Sequence, residues 1–260
     1  MKNFKSYRIR EKISNWLTNQ PFAFYLISAL LVAIVVFTLN RLDTQFSFHD
    51  ILVEGHGLLF DLIVFGIILS IYDTFRTKRE RIQRYKEEIK DFSGWKEQEA
   101  SIRVVSNIRR LGALGVHKIE LTGSFLKGMD LQGLNISDSN IVDADFSNAK
   151  LTKADLSGCW GEYAKFDNSD LEYANMQGWF YAASFTGAKI RFANMNYCVL
   201  QLAGLDNADL SYSSLLSADL AGASVKGTRF YKTKINEYQR TQLQYNGATQ
   251  EQLDEIEWIK

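Results

Sequence analysis

The sequence predicts two joined parts: an α-helical transmembrane hairpin and an all-β solenoid, closed by a short C-terminal helix. Three observations predict it. Residues 22–39 (FAFYLISALLVAIVVFTL) carry no charge, and a second apolar segment follows at 51–72. From Leu121 to Ile235 an apolar residue recurs every five positions. Five is a multiple of neither 3.6 nor 2, so the repeat is no ordinary helix or strand; a fixed short period marks a solenoid. These features divide the chain into residues 1–75 (basic N-terminus and two spans), 76–115 (linker and capping helices), 116–237 (solenoid) and 238–260 (a C-terminal capping helix).

Composition sets the outer bounds. The 260 residues suffice for one or two domains with a sizeable core. Thirty Lys and Arg balance thirty Asp and Glu, so the chain lacks the basic excess of a nucleic-acid binder. One proline and an aromatic content of 13% oppose disorder. Two cysteines, Cys159 and Cys198, are too few for a disulfide scaffold or a zinc site.

The first apolar run is long enough, at ~1.5 Å per residue, to span nearly all of a ~30 Å hydrocarbon layer. It is too long for a signal peptide, and no small-residue cleavage pattern follows it before Arg41. The second run contains Glu54, His56 and Asp61 in its first half. Asp61 has two readings: a shallow insertion near the headgroups, or an intramembrane carboxylate facing another helix or a water-filled pore. Lys2, Lys5, Arg8, Arg10 and Lys12 precede the first span, and Arg76, Lys78, Arg79 and Arg81 follow the second. Of Lys and Arg, the loop between them carries only Arg41. That asymmetry predicts a hairpin with both termini cytoplasmic. The basic run after the second span is also suited to anionic lipid of the bilayer, although Glu80, Glu87 and Glu88 give it i,i+4-type partners as a solvated helix face.

After the second span a polar helix continues to Asp91, and Ser93-Gly94 breaks it. A further helix over 97–111 places Val104, Val105, Ile108 and Leu111 on one stripe, as an N-terminal solenoid cap requires. Gly112 and Gly115 end it.

Within the repeat, a small residue (Ala144, Ala154, Cys159, Ala164, Cys198 and others) stands two positions before nearly every large apolar one, with Asp or Asn often between. ADFSN, ADLSG, ADLSY and ADLAG stand in the chain. This pattern resembles the pentapeptide-repeat family, whose unit is A(D/N)LXX, over about 115 residues. The resemblance implies a right-handed quadrilateral β-helix with four pentapeptides per turn, the large and small residues inward and the other three outward. About 24 pentapeptides then make roughly six turns, a column about 29 Å tall at ~4.8 Å per strand.

On the four faces so implied, Leu126, Phe146, Phe166, Phe185, Leu205 and Val225 form one inward ladder. Gly161 is a gap in another, into which Phe180 leans. The step from Met176 to Phe180 is four, so one residue is missing and the turn tightens there. The two cysteines take small inward positions as core. In the tail, Thr249 and Gln252 make a capping box, and Leu253, Ile256 and Ile259 share one face of a short helix. Either the last turn of the tube or a second copy, in a homo-oligomer, would cover that face.

No HExxH, GxSxG, phosphate loop or CxxC is present, and all three histidines precede the repeat. The sequence therefore predicts no enzyme and no cofactor. The informative surface is aromatic. Trp160 and Trp179 fall at equivalent outward corners on successive turns, with Tyr163, Tyr181 and Tyr197 nearby. Tyr173, Phe192 and Tyr212 make a stripe on another face. Such residues either cover turn backbone or form interface hot spots. The leading expectation is a scaffold in the plasma (inner) membrane that holds a protein partner. A pore or transport component using Asp61 ranks second. DNA mimicry of the kind known among pentapeptide-repeat proteins ranks last, because 121–235 carries 12 acidic against 10 basic residues, far from the regular charge of a duplex.

Overall fold

The computed structural model describes Ile34 and residues 48–260, with side chains from Phe60 onward except Asp61. The predicted first span lies, apart from Ile34, outside the described residues, as do the basic residues ahead of it. The chain divides into two compact units, Met1–Glu80 and Arg81–Lys260.

Helix α1 spans Phe48–Phe92 and includes the whole of the second apolar segment. In the first unit its apolar side chains, among them Phe60, Phe65, Ile68 and Ile71, stand exposed. Among the described residues, no helix is long and apolar enough to cross a membrane. At its polar end Arg76 pairs with Glu80 at 2.8 Å, the i,i+4 contact its charge pattern predicts.

In the second unit, Ile89 is buried, and Ile82, Tyr85 and Phe92 pack against the core. The chain breaks at Ser93-Gly94, where Gly94 takes φ +82°. Helix α2 (Gln98–Ala113) buries the predicted stripe of Val104, Val105, Ile108 and Leu111. Gly112 falls inside α2, and Gly115 at φ +78° follows its end. The Ser101 hydroxyl donates to Phe125 O at 2.6 Å and Arg109 to Asp130 O at 2.8 Å. The helix thus closes the first turn of the solenoid, where backbone groups would otherwise be left open.

The solenoid follows as a four-sided parallel coil. Single parallel bridges join residues 20 apart, as in Glu120 with Asn140 and Asp130 with Lys150. Each side is one pentapeptide. The carbonyl of its large residue accepts from the N–H three residues on, as in Leu121 O from Ser124 at 3.0 Å. The third residue of that turn has positive φ: Gly in Gly123 and Gly128, Asp in Asp143, and Tyr in Tyr163 and Tyr173. This is the type II arrangement, which favours Gly or Asn at that position. The Asp before the large residue secures the turn, as Asp145 Oδ1 does by accepting from Ser147 N at 2.9 Å.

The core is the column of large and small residues inside the tube, nearly all without solvent contact. Phe166 stacks on Phe146 at 5.1 Å and on Phe185 at 5.0 Å, rings within 4° of parallel. At Gly161 an added Cβ would sit 2.8 Å from Phe180 Cδ1, so the phenylalanine fills the gap. The missing residue appears as a 19-residue step from Trp160 to Trp179. It removes the positive-φ residue of that corner. Gly178 is drawn so close that a Cβ would lie 2.7 Å from Cys159 O.

The tail differs from the single helix predicted over 238–260. After β1 (Lys234–Asn236) and a 3-10 turn (Glu237–Gln239) come two short helices, α3 (Arg240–Tyr245) and α4 (Gln250–Asp254), then β2 (Glu257–Ile259). Thr249 does begin α4 with a capping box to Gln252. Ile259, however, is on a strand, and Ile256 lies between helix and strand. β2 pairs parallel with β1, Ile235 opposite Trp258. The open edge of the last turn offers backbone partners that a five-residue helix, marginal by itself, cannot match. Leu243, Leu253 and Ile256 cover the end of the core.

Candidate functional site

The outward aromatics follow from the register of the coil. Trp160 and Trp179 occupy successive rungs of one bridge column, Glu120, Asn140, Trp160, Trp179, Val199 and Asp219. They stand on the flat part of the face rather than at a corner as the sequence suggested. The bridge residue lies before the large inward one, whereas the corner comes two residues after it. The two indoles meet edge to face at 6.1 Å and are 60% and 51% exposed. Tyr163 sits three residues beyond Trp160 at the far end of the same pentapeptide and meets Tyr181 of the next turn edge to face at 6.0 Å. Tyr163 is exposed and Tyr181 half-buried. The four aromatics therefore share one face. Tyr197 is outside both ring pairs: it is 72% exposed in the corner column next to the missing residue.

The second stripe is built differently. Tyr173, Phe192 and Tyr212 occupy one positive-φ column and stack face to face at 4.8 and 5.0 Å. The stack extends to Tyr231, edge-on at 5.5 Å, with Lys232 Nζ 5.5 Å from that ring. Arg191 lies 5.4 Å over Phe192 and reaches Glu172 at 3.5 Å and Asp209 at 3.9 Å. Here ring faces and nearby cations already satisfy one another. Tyr231 escaped the sequence reading because it stands one position before the column; its diagonal contact exists only once the turns are stacked.

The chemistry of the remaining groups is quiet. Cys159 and Cys198 are buried, and burial pushes both thiols up to about 12. Thiols so protonated are poor nucleophiles. At Asp219, partial burial pushes the carboxyl up, but hydrogen bonds from Ala221 N–H, Gln201 and Gln242 outweigh it and hold it below its ordinary value. Among the described residues no group of His, Cys, Asp and Glu is arranged to hold a metal ion. A groove of about 560 Å³ beside Gln83, Lys86, Lys90 and Glu120 is open and of mixed charge. The Asp61 side chain lies outside the described residues.

The family model for pentapeptide repeats matches residues 139–178, 183–215 and 198–236, with eight copies. No curated protein matches. Solved structures that resemble the chain include a pentapeptide repeat protein from the Arabidopsis thaliana thylakoid lumen (21% identity, 45% of this chain and 72% of that one, TM-score 0.25). A pentapeptide repeat protein from the cyanobacterium Cyanothece 51142 is 23% identical over 47% of this chain and 92% of that one, TM-score 0.26. QnrB1, a plasmid-mediated fluoroquinolone resistance protein, is 17% identical over 43% of this chain and 75% of that one, TM-score 0.26. The matched repeats coincide with the four-sided coil and its inward register, and residues 139–236 of the solenoid are similar to pentapeptide repeats.

Proposed function

We propose that this chain is a membrane-anchored, non-enzymatic scaffold whose solenoid holds a protein partner on the face of Trp160, Tyr163, Trp179 and Tyr181. The observation that carries the reading is the two indoles, each more than half exposed on a rigid parallel ladder. Large, stiff aromatic side chains supply contact area at low entropic cost and are enriched among hot spots. The stacked stripe of Tyr173, Phe192 and Tyr212 fits a supporting role, since its ring faces are occupied by one another. Tyr197 belongs to the edge of the partner surface. Anchoring in the plasma (inner) membrane is supported by the uncharged run at 22–39, the exposed apolar side chains of α1 and the Lys/Arg asymmetry around the two apolar segments.

The test is the Trp160→Ala, Trp179→Ala double variant, measured twice on one preparation. Crosslinked capture from membranes reads partner binding, and thermal unfolding reads the solenoid. The expected outcome is unchanged unfolding with loss of the partner, equivalent to at least ~2 kcal/mol of binding. Retained binding with a lowered melting temperature would assign the tryptophans to stability alone.

A further inference from the structure

The four faces of the solenoid differ in charge, and only one lacks positive charge. The face built from rungs 120–123, 140–143, 160–163, 179–182, 199–202 and 219–222 carries Glu120, Asp143, Glu162 and Asp219 and neither Lys nor Arg. The face of the stacked stripe instead carries Lys150, Lys153, Lys189, Arg191, Arg229 and Lys232. The aromatic patch lies on the acid-only face.

Its carboxylates are not equivalent. Glu120 accepts from the Thr122 hydroxyl, and Asp219 is held by Gln201, Gln242 and the Ala221 N–H. Asp143 and Glu162 enter no ion pair among the described residues. They are neighbours on adjoining turns, the Asp143 N–H donating to Glu162 O at 3.0 Å. Glu162 directly precedes Tyr163, and Tyr163 follows Asp143 in the positive-φ column. Two unpaired carboxylates thus stand next to a tyrosine and on the same face as two half-exposed indoles.

We infer that this face takes an extended Arg- or Lys-bearing segment of the partner protein, its cations set against the Asp143 and Glu162 carboxylates and over the Trp160 and Trp179 rings. The inference rests on the scaffold reading and adds the chemistry of what is held. An anionic or purely apolar partner would leave the carboxylates desolvated and unpaired, which is unfavourable. Cations satisfy both features at once: carboxylates accept their hydrogen bonds, and indole faces attract them through the ring quadrupole. Arg suits the site best, because its planar guanidinium pairs with carboxylate and stacks on aromatic rings.

The test uses the full chain, with immobilised hexa-arginine and hexa-glutamate as probes, in uncharged detergent at low salt. The wild-type chain is expected to capture hexa-arginine, with affinity falling as salt rises, while any hexa-glutamate binding, through the basic face, should not change with Asp143 or Glu162. Asp143→Asn with Glu162→Gln should weaken hexa-arginine binding about five-fold or more. Asn tolerates the positive φ of position 143, so this variant keeps the fold. Asp130→Asn with Asp170→Asn, on the basic face, should change binding less than about two-fold. Three results would overturn the inference: no capture of hexa-arginine, no effect of the Asp143 and Glu162 changes, or equal weakening by both double variants. The scaffold reading fails separately, by unchanged partner capture in the Trp160→Ala, Trp179→Ala variant.

Discussion

Phe166 and Lys165 are adjacent in sequence yet face opposite environments. The ring of Phe166 is closed between two parallel phenylalanines, while Lys165 points to solvent. Phe166→Ala is expected to destabilise the coil by ~3–5 kcal/mol, since the tube is too narrow to collapse around the cavity. Lys165→Ala should stay within ~0.5 kcal/mol. Thermal or denaturant unfolding of the pair checks the register, and equal small effects would contradict it. This assignment was legible in the sequence because period five admits one inward phase. The small inward positions were legible too: Cys159 and Cys198 stand where most other turns have Ala. What could not be read was that five aromatic positions, Tyr163, Tyr173, Phe192, Tyr197 and Tyr212, sit at positive φ. Side chains there are conformationally costly, and in the stacked column ring contacts between turns offset the cost.

At the scale of elements, the ends of the coil depend on specific caps. Gln252 of α4 donates from Nε2 to Val225 O at 2.9 Å and Thr228 O at 2.8 Å, and its Oε1 accepts from Thr249 N at 2.9 Å. Gln252→Leu would keep the volume but strand two buried carbonyls and half of the capping box. The expected loss is about 2–3 kcal/mol. A solenoid is coupled turn by turn, so the loss should be local. Hydrogen exchange is expected to quicken around residues 225–235 and to stay unchanged around 146–166; uniform quickening would show that the tail does not cap one end. The N-terminal helix stripe was legible because Val104, Val105, Ile108 and Leu111 follow helical spacing. The tail was legible only as far as its capping box, since β2 forms against a strand edge that exists only after the last turn has closed.

For the whole molecule, the proposed hairpin makes a topological prediction. With clusters of positive residues before the first apolar segment and after the second and a single one, Arg41, in the loop between, both termini should be cytoplasmic. Tags at residues 1 and 260 are expected to resist external protease in sealed cells and to be cleaved after permeabilisation. Cleavage of either tag in sealed cells would reverse the arrangement.

The sequence by itself determined the repeat, its inward phase, the shortened corner between Met176 and Phe180 and the absence of a recognisable catalytic motif. Each follows from local spacing, because every turn of a solenoid repeats the same contacts with its neighbours. Only the tertiary structure decided which outward residues meet. Trp160 and Trp179 were placed on successive turns by the repeat, but the edge-to-face meeting of their rings, the contact of Tyr163 with Tyr181 and the backbone hydrogen bond from Asp143 to Glu162 exist only in the stacked coil. The strand at 257–259 was decided there as well, since its hydrogen-bonding partner is the last rung of the finished coil.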